Sequence, residues 1–116
     1  MADVKKGALA KVITYANTSA TLVGSIPPNS VMTEIKLMVS ADFTAGVVDI
    51  GSASSAAAYA NDIAVTSAGK ILGTMTAAAC AVRSAVGSTD IYAVYVPGST
   101  APAEGSATVV IEYVQL

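Results

Sequence analysis

Apolar and polar side chains alternate with a spacing of two in several short runs of this chain, a pattern typical of half-buried β-strands. The clearest run extends from Val31 to Val39. One face of this run holds Val31, Thr33, Ile35, Leu37 and Val39. The other face holds Met32, Glu34, Lys36 and Met38. We expect the first face to lie in the core of the domain.

A rigid turn precedes this strand. Pro27 and Pro28 fix φ and remove two backbone donors, and Asn29 tolerates a left-handed conformation. The strand is therefore predicted to begin near Val31.

Two further runs, Asp90 to Val96 and Ser106 to Leu116, alternate in the same way but are largely apolar on both faces. In a single β-sandwich only one face of each sheet meets the core, so the second face needs a partner. This predicts a self-association surface around Tyr92, Val94, Val96, Val110 and Val114. The segment between the two strands, residues 97–105, is rich in Gly and Pro and predicts an exposed loop in a β-hairpin.

Weaker strand patterns bring the total to about eight short antiparallel strands at the spacing of a β-sandwich. They cover Ala8 to Tyr15, Thr21 to Ile26, Gly46 to Ile50, Ile63 to Val65 and Lys70 to Met75. Two alanine-rich stretches, Ala53 to Asn61 and Met75 to Arg83, have the propensity for short helices, although alanine also fits a crowded strand. We predict an all-β, single β-sandwich of the jelly-roll kind.

The length and composition favour one domain with an unusually uncharged surface. The chain has 116 residues, of which 53% are hydrophobic and only 12% are charged. A surface of Ala, Ser and Thr suits permanent contact, because little charge is desolvated when two copies meet.

The charges exclude some partners. The net charge is −2, and the basic residues are scattered except for the adjacent pair Lys5 and Lys6, so no nucleic-acid footprint is present. No apolar run approaches the length of a membrane helix, and no apolar segment follows the first lysines as in a secretory signal. We expect a soluble protein made in a cytoplasm.

Candidate chemistry is sparse. The chain has no histidine, which excludes a Ser-His-Asp or Cys-His pair, and its carboxylates are spread along the sequence. We therefore predict no enzyme activity, no catalytic residues, no cofactor and no metal. Asp42, Asp49 and Asp62 could supply oxygen ligands to a cation, but aspartates that cap turns are the favoured interpretation.

The single cysteine, Cys80, excludes an internal disulfide, and its apolar neighbours predict buried packing. Of the five tyrosines, only Tyr59 lies outside the predicted strands. That position makes Tyr59 a candidate contact residue, although local packing is the favoured role.

Several segments, taken in order from Leu22 to Val114, resemble the head decoration or cement proteins of tailed bacteriophages. They are Ile26 to Val31 with the strand that follows, Asp49 to Gly51, Tyr92 to Val94, and Gly105 to Tyr113. The resemblance implies a β-sandwich that forms a homotrimer and binds the major capsid protein on the outside of the phage head. It also implies an N-terminal arm of residues 1–7, with Lys5 and Lys6 at a subunit or capsid interface, followed by a sandwich of residues 8–116. The alternative function is a receptor-binding, fibre or spike module of a phage virion that contacts a host glycan or protein.

Overall fold

The computed structural model describes residues 5–66, 68–80, 87–98 and 103–116. The described residues form eight strands and no helix, so none of them belongs to a helix long and apolar enough to cross a membrane. The strands are β1 (Lys5–Thr14), β2 (Thr21–Ile26), β3 (Ser30–Ala41), β4 (Val47–Gly51), β5 (Ala60–Ala64), β6 (Gly69–Leu72), β7 (Thr89–Val96) and β8 (Ser106–Gln115). The predicted all-β fold with about eight strands is confirmed.

The strands form two four-stranded antiparallel sheets. The first sheet has the order β1-β8-β3-β6 and the second has the order β2-β7-β4-β5. Strands β1 and β8, β2 and β7, β3 and β6, and β4 and β5 are hydrogen-bonded pairs. The chain is thus a long hairpin, folded back at β4 and β5 and rolled into two layers, which is the topology of a jelly roll.

The prediction that β7 and β8 form a hairpin is wrong, because the two strands lie in different sheets. Strand β7 pairs with β2 and β4 in the second sheet, whereas β8 pairs with β1 and β3 in the first. The segment from Pro97 to Gly105 therefore passes from one layer to the other instead of closing a tight turn. Residues 99–102 of this loop lie outside the described part of the chain.

A β-bulge in β3 corrects part of the predicted core face. Met32 pairs with Tyr113 and Glu34 pairs with Glu112, so Thr33 is an extra residue without a partner on β8. The bulge shifts the alternation by one position. As a result Met32 is buried while Val31 is half-buried and Thr33 is exposed, and the predicted burial holds only from Ile35 onward.

The turn before β3 forms as predicted. Asn29 has a φ of 58°, in the left-handed region that asparagine tolerates. Its carbonyl accepts a hydrogen bond from the Leu116 amide at 2.8 Å, and Gln115 Nε2 donates to the Pro28 carbonyl at 3.1 Å. The turn is therefore fixed to the end of β8.

The core lies between the sheets and is built from the inward residues of all the longer strands. At one end of the sandwich Tyr95 packs on Phe43, with ring centroids 4.8 Å apart, and its hydroxyl donates to the Ala45 carbonyl. Gly105 has a φ of +136°, and a Cβ at this position would overlap the Phe43 ring. These contacts join the connection between β3 and β4 to the strands beneath it.

The described residues of the alanine-rich stretches form no helix, and lie mainly in turns and bends, with Ala60 and Asn61 in β5 and Met75 in an isolated bridge to Ala60. Ser52 Oγ accepts the Ser55 amide at 3.1 Å, which closes a turn after β4. Thr76 bonds to the segment before β5: its amide donates to the Tyr59 carbonyl at 2.9 Å, and its hydroxyl donates to the Ala58 carbonyl at 2.6 Å. These hydrogen bonds to side chains and to a distant segment of the same chain override helix propensity. Residues 81–83 of the second stretch lie outside the described ranges.

Residues 1–4 of the predicted N-terminal arm lie outside the described residues, and the arm stays a prediction. Lys5, Lys6 and Gly7 belong to β1 and pair with Gln115, Val114 and Tyr113 of β8. The described sandwich therefore starts at Lys5, three residues before the predicted boundary.

Candidate interaction surfaces

An apolar strip runs along the outer face of the second sheet. On β7, Ile91, Ala93 and Tyr95 are buried, so the alternating residues Tyr92, Val94 and Val96 point away from the core. Leu22 of β2 lies directly opposite Tyr92, and Val47 of β4 lies directly opposite Val96. Because these five side chains are contiguous, and Leu22 and Val96 are 48% and 40% exposed, they form a patch and not isolated exposed residues. We call Leu22, Val47, Tyr92, Val94 and Val96 the β7 strip.

Three aspartates and no cation accompany the β7 strip on the strands of the second sheet. Asp90 is exposed at the start of β7 and accepts a hydrogen bond from the Ser25 hydroxyl. Asp49 lies opposite Val94, and its Oδ1 accepts the Asp62 amide at 2.8 Å. These strands therefore have three negative charges and no positive charge.

The outer face of the first sheet is also apolar in part, but ion pairs interrupt it. Val12 and Leu72 are each 59% exposed, and Met38 is 42% exposed. Lys36 Nζ lies 3.5 Å from Glu34 Oε1 and 3.5 Å from Glu112 Oε1. Because Glu34 and Glu112 are cross-strand neighbours, Lys36 offsets their repulsion.

All lysines of the chain lie on strands of the first sheet. They are Lys5, Lys6 and Lys11 on β1, Lys36 on β3, and Lys70 on β6. With two glutamates, the strands of this sheet have three net positive charges, against three negative charges on the second sheet. The only arginine, Arg83, lies outside the described residues. Charges that are scattered along the sequence are thus separated by layer.

The structure divides the predicted interface residues between the two layers. Tyr92, Val94 and Val96 lie on the outer face of the second sheet. Val110 and Val114 lie on the outer face of the first sheet, where Lys6 pairs with Val114. Lys5 and Lys6 are exposed at the start of β1. The two valines of β8 therefore do not share one continuous surface with the β7 residues, and their role in contacts stays a prediction.

A shallow groove of about 580 Å³ lies beside the bulge of β3. Its lining is Lys6, Gly7, Ala8, Thr33, Glu112, Tyr113 and Val114. Gly7 leaves room for the Tyr113 ring, because a Cβ there would lie 2.5 Å from Tyr113 Cζ. The lining mixes single charges of both signs with small residues and contains no convergent set of polar groups.

The three aspartates considered for a cation lie in different places. Asp62 has a φ of 56° and donates its amide to the carboxylate of Asp49, so this bond joins β5 to β4 and does not cap a turn. Asp42 is exposed in the connection after β3. Among the described residues no group of three or more His, Cys, Asp or Glu side chains could hold a metal ion.

The prediction that Cys80 is buried is wrong. Ala79 is fully buried, while the next residue, Cys80, is exposed in the turn of residues 77–80. In a turn, apolar neighbours in sequence do not place a side chain in the core. Tyr59, by contrast, is 8% exposed and belongs to the core, which confirms its packing role.

Sequence reasoning did not single out four exposed apolar residues, namely Val12, Leu22, Met38 and Leu72. The sequence did place each of these residues on a predicted strand. It did not show which strands share a sheet, and the sheet decides which outward residues become neighbours on the surface.

Comparisons with known proteins give a likeness in fold alone. No family model matches the chain, and no curated protein does. A chain of the solved structure described as "Cyanophage Pam1 capsid asymmetric unit" is similar, with a TM-score of 0.67 and 18% sequence identity. The match covers 98% of this chain and 86% of that one. Almost the whole sandwich therefore has a counterpart in a phage capsid structure.

Proposed function

We propose that this chain is a structural virion protein that decorates and stabilises the outside of a bacteriophage capsid. In this proposal it binds the major capsid protein as a homo-oligomer, a homotrimer, and acts by adhesion without catalysis. It would be made in the host cytoplasm and reside on the capsid exterior. The observation that carries the proposal is the contiguous β7 strip, an apolar surface on a domain whose core is already complete.

The arrangement of the sandwich supports adhesion. The inward faces of the two sheets pack on each other, so no other described strand covers the β7 strip. Burial of apolar surface contributes about 25 cal/mol per Å² to association, which makes such a strip a favourable contact site. Many copies that each make modest contacts can together attach firmly to a repeating shell.

The fold likeness supports the location. The similar chain belongs to a structure described as a cyanophage capsid asymmetric unit, and the match extends over nearly all of this chain. A jelly roll alone does not determine function, since one fold serves many roles. The likeness and the β7 strip point in the same direction, because a capsid is built from repeated protein contacts.

The tyrosines favour decoration over receptor binding. A module that recognises a host glycan would be expected to expose several aromatic rings. Here Tyr59 and Tyr95 are in the core, and Tyr92 and Tyr113 are half-buried within their sheets. Only Tyr15, at 40% exposure, is an exposed tyrosine.

Co-sedimentation with phage shells that lack a decoration layer tests the proposal. The wild-type chain should pellet with the shells and saturate at a fixed number of copies per capsomer. Val94→Lys, in the β7 strip, and Val110→Lys, on the other outer face, should separate the contributions of the two layers. Both positions are half-buried on outer faces, so each variant controls for the other.

A wild-type chain that stays in the supernatant when the shells are pelleted would refute the proposal. If the same preparation bound host cells or glycans, the receptor-binding alternative would replace it.

A further inference from the structure

Charge separation between the two sheets gives the molecule two complementary surfaces. The β7 strip lies on a sheet whose strands have Asp49, Asp62 and Asp90 and no cation. A partner for this surface should therefore be apolar in part and positively charged. The first sheet of the same chain supplies such a surface.

The lysines of the first sheet that form no ion pair with a described residue lie on its edge strands. Lys36, on the inner strand β3, is held between two glutamates. Lys5, Lys6 and Lys11 are exposed on β1, which has no acidic residue of its own. Lys70 is the single lysine of the opposite edge, β6. The positive charge of this sheet is therefore concentrated along β1.

Strand β1 has two further features of a docking site. It is ten residues long and lies at the end of its sheet, so among the described strands its backbone pairs with β8 alone. Val12, which is 59% exposed, adds an apolar side chain on the same face of β1 as Lys6, while Lys5 and Lys11 lie on the other face of this edge strand. We call the exposed residues Lys5, Lys6, Lys11 and Val12 the β1 edge.

We propose that copies of this chain associate by a heterologous contact, in which the β7 strip and its aspartates on one copy bind the β1 edge of the next copy. The inference rests on the proposed function in one respect, namely that the chain works as a homo-oligomer. A contact of either surface with its own counterpart would bring together two surfaces that have net charge of the same sign. Like charges at an interface disfavour it, so complementarity selects the unlike pair.

The contact has a consequence for assembly. The β7 strip faces outward from the second sheet, while the β1 edge faces sideways from the first sheet. A head-to-tail dimer therefore leaves one strip and one edge free at its two ends, and addition continues until a ring closes. A homotrimer is the three-membered case of such a ring.

Charge reversal in solution, without shells, tests this contact. The edge-reversed variant has Lys6→Glu and Lys11→Glu, which changes the charge of β1 from +3 to −1. The face-reversed variant has Asp62→Lys and Asp90→Lys, which changes the charge of the strands of the second sheet from −3 to +1. All four positions are exposed on strands. Lys70→Glu is the matched control, because it reverses an exposed lysine on the other edge of the first sheet. Sedimentation velocity gives the assembly state, and circular dichroism verifies that each variant is folded.

We expect each double variant to associate at least roughly tenfold more weakly than the wild type, because like charges then face each other. The quadruple variant, with both surfaces reversed, should regain the wild-type assembly state. Lys70→Glu should leave association unchanged, and salt should weaken the wild-type complex. Recovery in the quadruple variant cannot come from misfolding.

Three outcomes would overturn the inference. They are a wild-type chain that stays monomeric at every concentration, double variants that associate like the wild type, or a quadruple variant that remains dissociated. Shell binding is measured separately, so a monomeric chain that still coats shells would refute this contact and leave the decoration role intact.

Discussion

The packing of Phe43 against Gly105 leads to a prediction about stability. Gly105 has a φ of +136°, and a Cβ there would overlap the Phe43 ring. Gly69 has a similar φ of +122° but has no atom within 4 Å of the corresponding Cβ position. An added side chain therefore strains the backbone at both glycines, but it meets a steric clash only at Gly105.

We expect Gly69→Ala to lower the free energy of unfolding by about 1–3 kcal/mol, the usual cost of a strained backbone. Gly105→Ala should lower the free energy of unfolding by that amount and by about 1–3 kcal/mol more, because the Phe43 ring must move within a packed core. A domain of this size has a total stability of about 5–15 kcal/mol, so the difference is measurable.

Equilibrium unfolding in urea measures both variants, with the midpoint as the readout and an unchanged slope as the check on two-state behaviour. Phe43→Leu in the Gly105→Ala background should recover part of the additional loss, since it removes the ring that the new methyl group meets. Equal losses for Gly69→Ala and Gly105→Ala would refute the reasoning, because they would leave only the backbone term.

Two further predictions concern Ser30, at the start of β3, and Cys80, in the turn of residues 77–80. Ser30 is fully buried, and its hydroxyl has no hydrogen-bond partner among the described residues. Ser30→Ala should therefore raise the free energy of unfolding by about 1 kcal/mol in the same urea assay, and a loss of stability would show that the hydroxyl is bonded. Cys80 is exposed, so a thiol-reactive dye should label the folded protein nearly as fast as the urea-unfolded chain, and protection in the folded state would place the thiol in the core.

Alternation was sufficient to locate the strands. The period of two from Ile35 to Val39 predicted which side chains are buried. This succeeds because successive residues of a strand point to opposite faces, whatever the strand pairs with. The turn at Pro28 and Asn29 was predictable for an equally local reason, since backbone φ there depends on the residues themselves.

Pairing was not predictable from the same pattern. Strands β7 and β8 are neighbours in sequence and have similar patterns, yet they lie in different sheets. The bulge at Thr33 likewise depends on the register with β8, which the sequence of β3 does not reveal. The exposure of Cys80 was not predictable from strand alternation or from local turn preferences. It depends on how the turn of residues 77–80 packs on the core.

By itself, the sequence determined the class of this protein, namely a single all-β domain with little charge and with strands that are apolar on both faces. These properties depend on composition and on local side-chain direction. The tertiary structure alone decided that the lysines lie on one sheet and that three aspartates accompany the β7 strip on the other. The reason is physical: rolling a long hairpin sends most successive strands to alternate layers, so neighbours on a surface come from distant parts of the chain.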